Sequence, residues 1–278
     1  MKLTIVTPSF RNSEWLKLCV ASVADQQGVD VEHIVQDAQS DDGTLDWLVH
    51  DQRVQAFVEK DQGMYDAVNR GWRRARGEVL AYLNCDEQYL PGGLQAVADH
   101  FKEHPETDIL LADTVVVDAE GRCICCRKSL VPWRHAIWIR NPTMTSSIFL
   151  HRRVLDQHGI YFDTSWRDVG DFFWMLEAVN RGLRFSVMRR YTSAFADTGE
   201  NMNLKPNAQR EKQVKYAMTP ALIRSMWWPL LQLHRLRQLC SGVFWENPFT
   251  YSIYTRASPD RRVDFHVQKP TGLWWNRH

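Results

Sequence analysis

The chain has 278 residues, with 34 Lys+Arg against 33 Asp+Glu for a net charge of +1, and is 44% apolar and 24% charged. These values exclude a disordered, collagenous or polar-repeat chain and allow one large α/β domain or two small ones. No apolar run approaches the ~18 residues of a membrane-spanning helix, MKLTIVTPSF reads as a first strand rather than a signal peptide, and the six scattered cysteines do not look like a secreted disulfide scaffold, so a cytoplasmic protein is expected.

The elements are predicted in chain order as follows. LTIVT (3–7) is a β-branched strand, and EWLKLCVASVADQQ (14–27) carries Trp15, Leu18, Cys19 and Val23 at helical spacing. VEHIVQ (31–36) is a strand ending at Asp37, and the polar loop AQSDDGT leads into a short helix through Leu45 and Leu48. VQAFVE (54–59) is a strand, GMYDAVNRGWRRARG (63–77) a helix, EVLAYLN (78–84) a strand, PGGLQAVADHFKEH (91–104) a helix and DILLAD (108–113) a strand. This alternation means parallel βαβ units in an open, twisted sheet. TVVVDAEGRCICC is a hairpin around Ala119-Glu120-Gly121. SSIFLHR (146–152) and LRFSVM (183–188) are strands, and DVGDFFWMLEAVNRG (168–182) is a helix.

From about residue 200 the regularity fades into a C-terminal appendage, 201–278. Seven of the 12 tryptophans (Trp133, Trp138, Trp227, Trp228, Trp245, Trp274 and Trp275) lie after residue 120 outside the most regular segments. Within the appendage, residues 220–245 mix Leu and Trp with Arg224, His234, Arg235 and Arg237, and Pro229 is expected to interrupt any single helix. Two readings stand for this segment. It packs on its own domain or a second subunit, or it lies on the inner face of an anionic membrane.

Charge is unevenly spread. Residues 1–120 hold 10 basic and 22 acidic side chains, net −12, whereas 121–200 carry +5 and 201–278 carry +8. In open α/β sheets, ligands bind at the carboxyl ends of strands. Four strand ends here deliver Thr7-Pro8-Ser9, then Asp37 with Ser40, Asp41 and Asp42, then Asp61, then Asn84, Asp86 and Glu87. So many carboxylates on one rim repel unless a cation sits among them, and a divalent ion held with a diphosphate meets that need. There is no GxGxxG after the first strand and no GxxxxGK[ST], which excludes the dinucleotide fingerprint and the P-loop. The TPSFRNS loop disfavours a sugar nucleotidyltransferase. Cys123, Cys125 and Cys126 lack the second ligand pair of a zinc site.

The stretches KLTIVTPSFRN, EHIVQDAQSDDGT, EKDQGMYDAVNRG and GEVLAYLNCDE, in this order over residues 2–90, resemble the family 2 glycosyltransferases. A looser resemblance runs to about residue 200. The resemblance implies a GT-A-type open, twisted, mostly parallel sheet flanked by helices. Residues 1–113 would form the nucleotide-sugar half and 114–200 the half that carries acceptor and base. It implies an inverting, hexosyltransferase-type enzyme that moves a sugar from a nucleoside-diphospho-sugar, such as a UDP-sugar, to a hydroxyl of a glycan or lipid-linked glycan. Polysaccharide or lipopolysaccharide assembly is the expected setting, with Mn²⁺ or Mg²⁺ as cofactor and no nucleic-acid partner.

By the same resemblance Thr7, Pro8, Ser9, Asp37, Ser40, Asp42, Asp61, Asn69, Asn84, Cys85 and Asp86 contact the nucleotide-sugar. Asp86, with Glu87, holds the metal. Asp171 is the general base, with Asp168 its competitor one turn earlier. Three departures stand out: Asn84 replaces the first acid of the DxD motif, Glu87 follows Asp86 where Asp is common, and Thr145-Ser146 stand where relatives often carry His and Gln. The imperfect DxD leaves a competing reading, a non-catalytic sugar-nucleotide-binding or scaffold protein on the same fold.

Overall fold

A computed structural model describes residues 1–140, 144–199 and 206–273, so Trp274 and Trp275 lie outside the described residues. The strands are β1 (Lys2–Ser9), β2 (Asp30–Asp37), β3 (Gln55–Val58), β4 (Val79–Tyr82), β5 (Glu87–Tyr89), β6 (Ile109–Val117), β7 (Cys123–Arg127), β8 (Ile148–His151), β9 (Phe185–Ala196), β10 (Phe249–Thr255) and β11 (Ser258–Val267). The helices are α1 (Ser13–Ala24), α2 (Thr44–Leu48), α3 (Met64–Arg74), α4 (Gly93–Glu103), α5 (Arg153–Asp156), α6 (Gly170–Asn180), α7 (Pro206–Met218), α8 (Ala221–Ser225) and α9 (Trp227–Cys240).

The large sheet runs β3-β2-β1-β4-β8-β6-β9-β5, with β7 on the side of β6. Its first half is parallel: β1 pairs with β2 and β4, and β2 with β3. Beyond β4 it is mixed, because β8 runs antiparallel to both β4 and β6 while β6 and β9 are parallel. The predicted open α/β sheet is thus present, with its parallel character concentrated in the first half.

Period-two alternation sorts the core onto two faces. Leu3 and Ile5 of β1, with Val79, Ala81 and Leu83, meet Cys19 and Val23 of α1 and Leu94, Val97 and Phe101 of α4. Val6, Leu80 and Tyr82 face the other way, onto Tyr65, Val68 and Trp72 of α3 and Phe172, Trp174 and Met175 of α6. Gly71 lets α3 approach closely, since a Cβ there would lie 2.4 Å from a Val6 methyl.

The hairpin around Gly121 forms as β6–β7, with Gly121 at φ +89°. The C-terminal segment is more regular than its sequence suggests, for β10 and β11 form an antiparallel hairpin. Tyr251 and Ile253 join Leu90, Val115, Val117 and Ala194 in a core cluster, and Tyr251 donates its hydroxyl to Gly121 O at 2.5 Å. Arg262 clasps Asp25 at 2.6 and 2.7 Å and also donates to Tyr89 O at 3.0 Å. Pro229 does not break a helix. It lies in the first turn of α9, where a missing N–H has no partner to lose, and the interruption falls at Met226 between α8 and α9. Among the described residues no helix is long and apolar enough to cross a membrane.

Candidate functional site

Because β1 lies between β2 and β4 in parallel, their carboxyl ends sit side by side, and the loops leaving them form one rim. Asp37 ends β2 fully buried. Its carboxylate accepts from the Ser9 hydroxyl at 2.9 Å, the Ser40 amide at 2.7 Å and the Ser40 hydroxyl at 2.8 Å. Ser9 and Asp37 are register partners, so this network joins two strand ends. The Arg11 amide donates to Ser40 Oγ at 2.9 Å, and the Arg11 guanidinium grips Asp41 in a fork at 2.5 and 2.6 Å. Asp42 accepts from the Ser13 amide at 3.1 Å and the Thr44 hydroxyl at 2.6 Å, tying the start of α1 to the start of α2.

Among the described residues, the non-glycine positions with positive φ are Arg11 (51°) and Gln39 (64°). Each such position costs ~1–3 kcal/mol and is held only where surroundings over-determine it, typically at binding sites. Both lie in the two loops that meet through Ser40. Asp61, after β3, accepts from the Gly63 amide at 2.9 Å. Burial raises its pKa, with Asp66 and Asp37 adding to the rise, which links Asp61 electrostatically to the same rim.

Strand β4 runs into Asn84-Cys85-Asp86-Glu87. Glu87 is 1% exposed and folds back on Asn84, accepting from its amide at 2.9 Å and from its side-chain Nδ2 at 3.2 Å. Burial, then the neighbouring Asp86 charge, push Glu87 up to about 8. Burial also raises Asp86, which lines a small recess with Trp15, Gln88 and Tyr254. No basic side chain is among the groups acting on either carboxylate. Cys85 accepts from Asn12 Nδ2 at 3.0 Å, and burial pushes its thiol up to about 12, so it is an unreactive part of the turn.

Two of the residues predicted for the donor pocket turn inward. Thr7 follows Leu3 and Ile5 on the α1 face of β1, buried, with its hydroxyl 2.9 Å from His33 Nε2 and 3.6 Å from Cys19 Sγ. Asn69 is buried on α3, its Nδ2 donating to Phe162 O at 2.8 Å while its Oδ1 accepts from the Phe162 amide at 3.0 Å. Pro8 is likewise buried in β1.

The first turn of α6 carries Asp171. A Cβ on Gly170 would come within 2.5 Å of the Tyr65 ring, so glycine lets α6 close on α3. The Tyr65 hydroxyl accepts from the Asp171 amide at 3.1 Å and lies 3.4 Å from Asp171 Oδ1. Burial raises Asp171, and the Lys215 ammonium works against that rise. Tyr82, at the end of β4, couples the two acidic regions: burial, then Asp171, then Glu87 push its phenol well above the usual range. Asp168 instead accepts from Asn207 Nδ2 at 2.5 Å.

Sequence reading missed helix α7 as part of this region. Glu211 accepts from three successive amides leading into α6, Arg167 at 2.9 Å, Asp168 at 2.8 Å and Val169 at 3.0 Å, the last of them the N-cap donor that the helix leaves unpaired. Lys215, one turn on, places its ammonium 3.7 Å from the centroid of the Phe172 ring. The i,i+4 spacing of Glu211 and Lys215 was the one visible signal. Just before β8, Ser146 is buried and accepts from the Ser193 hydroxyl at 3.0 Å, and Ser147 lies 2.6 Å from Thr114 Oγ1 and 2.8 Å from Ser193 Oγ.

Among the described residues no group of three or more His, Cys, Asp or Glu is arranged to hold a metal. Asp86 and Glu87 nonetheless suit one. They are hard oxygen donors whose paired burial is unbalanced by any cation, and ions such as Mg²⁺ commonly take one or two carboxylates and complete their shell with phosphate oxygens and water.

Residues 4–123 match the model of "Glycosyl transferase family 2". A "PGL/p-HBAD biosynthesis glycosyltransferase" of Mycobacterium bovis is 32% identical over 119 residues, 41% of this chain and 46% of that protein. The chain spans from a third to about half the length of the first curated relatives it matches. Among solved structures, S. aureus TarS 1–349 in complex with UDP-GlcNAc superposes with a TM-score of 0.62 at 19% identity, covering 87% of this chain and 75% of that one. The mannosyltransferase PcManGT from Pyrobaculum calidifontis, in complex with GDP-Man and Mn²⁺, gives 0.53 at 14% identity, covering 78% and 61%. These two likenesses identify the fold as GT-A. Residues 4–123, the stretch that is similar to glycosyl transferase family 2, supply β1 to β6 and every rim acid before Asp171.

Proposed function

We propose that the protein transfers a sugar from a nucleoside-diphospho-sugar to an acceptor hydroxyl with inversion at the anomeric carbon, in assembly of a polysaccharide or lipid-linked glycan. The observation that carries this reading is the hydrogen-bonded rim of Ser9, Asp37 and Ser40, which joins the ends of β1 and β2 within the segment similar to the family. Asp86 and Glu87 follow β4, which pairs in parallel with β1 at the same rim.

The rim loops built on Ser9, Asp37 and Ser40 form the nucleotide pocket, and Asp61 borders it. Asp37 acts there chiefly by fixing the loop, since its carboxylate already accepts three hydrogen bonds. Asp86, backed by Glu87, would hold Mn²⁺ or Mg²⁺, which offsets negative charge on a diphosphate. Asp171 accepts the proton of the acceptor hydroxyl, as a carboxylate within hydrogen-bond reach does in general-base catalysis. Tyr65 orients it through the two contacts described above. Burial lifts its basicity above that of an ordinary carboxylate, while Lys215 keeps the ionised form accessible. Inversion follows from attack on the face opposite the departing diphosphate.

The relatives' names, biosynthetic glycosyltransferases and a mannosyltransferase, support the same class. The test is a panel of nucleotide-sugars with and without Mn²⁺, read as nucleoside diphosphate released and as anomeric configuration by NMR. Turnover lost in Asp171→Asn and a β-linked product from an α-linked donor are expected. Nucleotide binding without turnover for any donor and acceptor would leave only the scaffold reading.

A further inference from the structure

Away from the rim, α9 and the end of β7 line a half-open cavity of about 650 Å³, within the size range of small-ligand sites. Among the described residues its charged lining has one sign: Arg127, Arg140 and Arg235, with Gln232 and Gln238 beside them and no carboxylate. No ion pair among the described residues engages any of the three. Arg127 is half-buried, and burial together with the Arg140 charge pulls it below the usual arginine range. Like charges held this close are unfavourable unless an anion joins them.

A second observation points the same way. His234 of α9 is 2% exposed, and neither ring nitrogen has a hydrogen-bond partner. Burial, followed by the charges of Arg140, Arg237 and Arg127, pushes it down to about 4. His234 does not itself line the cavity, but it lies one turn before Gln238, which does, so the unbalanced positive charge extends behind the cavity wall. The rest of the lining is apolar, and Leu236 and Leu239 continue onto the exposed surface of α9.

We propose that this cavity is a second binding site, separate from the donor pocket, for a phosphate or diphosphate group. Planar guanidinium forks match phosphate oxygens with paired hydrogen bonds, and neutral Gln232 and Gln238 supply further donors. None of Ser9, Asp37, Asp61, Asp86 or Asp171 lines the cavity. The assignment therefore stands whether or not the donor reading does. The diphosphate can belong to a soluble molecule or to a lipid headgroup, and the apolar wall offers room for a chain attached to it.

The test titrates inorganic pyrophosphate into the full chain by calorimetry, comparing wild type, Arg235→Gln and Arg127→Gln/Arg235→Gln. Arg235 is exposed on α9, so its replacement leaves the fold intact, and an unchanged melting temperature without ligand verifies this. Loss of a charge-assisted contact should weaken pyrophosphate about 10-fold in the single variant and about 100-fold in the double. In parallel, co-sedimentation with phosphatidylglycerol vesicles is compared with phosphatidylcholine vesicles. Retention on the anionic vesicles that the double variant loses assigns the group to a lipid. Pyrophosphate binding without such retention assigns it to a soluble ligand. Identical behaviour of wild type and double variant in both assays overturns the site.

Discussion

Glu211 offers the sharpest test of how the appendage serves the site. Its carboxylate meets three consecutive amides ahead of α6 at 2.8–3.0 Å and is 9% exposed. In Glu211→Ala those donors lose their acceptor. Removing a helix cap costs ~1 kcal/mol, and each donor left unmet costs ~1–3 kcal/mol where water cannot reach it. With water reaching part of the gap, the total is about 2–4 kcal/mol, a fall in Tm of roughly 5–12 °C for a chain of this size. Glu211→Gln keeps one acceptor oxygen and should lose about half of that.

The effect has a pH signature. Burial alone would raise Glu211, but bonds from the Arg167, Asp168 and Val169 amides and from Asn207 outweigh it, and its pKa is lowered. Its stabilisation is therefore present above the ordinary glutamate pKa and lost as pH falls through the depressed value. Differential scanning calorimetry of wild type and Glu211→Ala between pH 7 and pH 3 should show the two Tm curves converging at the acid end. A Glu211→Ala protein melting within about 1 °C of wild type at pH 7 would refute the capping argument.

Four further outcomes are expected. Asp171→Asn should keep nucleotide affinity and lose ~10²–10⁴ in kcat, while Asp168→Asn stays near wild type; the reverse pattern would move the base one helical turn. Lys215→Met removes the cation that opposes the rise of Asp171, so the acidic limb of the kcat–pH profile should move to higher pH, and a limb that stays in place or moves lower rejects the coupling. Asp86→Ala should abolish Mn²⁺ binding followed by electron paramagnetic resonance without lowering Tm, because removing it relieves Glu87; undiminished Mn²⁺ binding sinks the metal assignment. Arg262→Ala should lower Tm by several degrees through loss of a half-buried clasp worth ~1–3 kcal/mol and leave donor KM unchanged, which steady-state kinetics would check.

The N-terminal half of the fold was legible because each of its signals is local. Leu3, Ile5 and Val6 alternate on β1, Val68 and Trp72 recur at helical spacing on α3, and acids follow the strands directly. The hairpin β10–β11 was not. Its strand FTYSIYT alternates well, but the connection Arg256-Ala257 holds none of the Gly, Asn or Asp that mark tight turns, and Pro259 and Asp260 weaken the second strand.

Site residues divided along a similar line. Asp37, Ser40 and Asp42 sit at the rim their loop predicts. For Thr7 and Asn69 a family pattern identifies the position but not the direction of the side chain, which depends on His33 in one case and on the Phe162 peptide in the other. Glu211 and Lys215 showed no more than their i,i+4 spacing, for a different reason. Their partners lie about 44 residues earlier in the chain, and no local pattern encodes such a pairing.

The hairpin's docking also bears on when the protein matures. Arg262 and Asp25 are 237 residues apart in sequence, and the pocket for Tyr251 is bounded by Val115, Val117 and Ala194. At ~5–20 residues per second of synthesis, the ribosome leaves the α1 edge uncovered for tens of seconds and the completed pocket for several seconds after its own synthesis ends. A nascent chain therefore carries a sticky apolar face until its partner strands arrive, and contacts of such long range form slowly. Slowing translation across residues 200–250, or holding the chain at an arrest site there, should increase chaperone capture and aggregation without altering any residue of the rim.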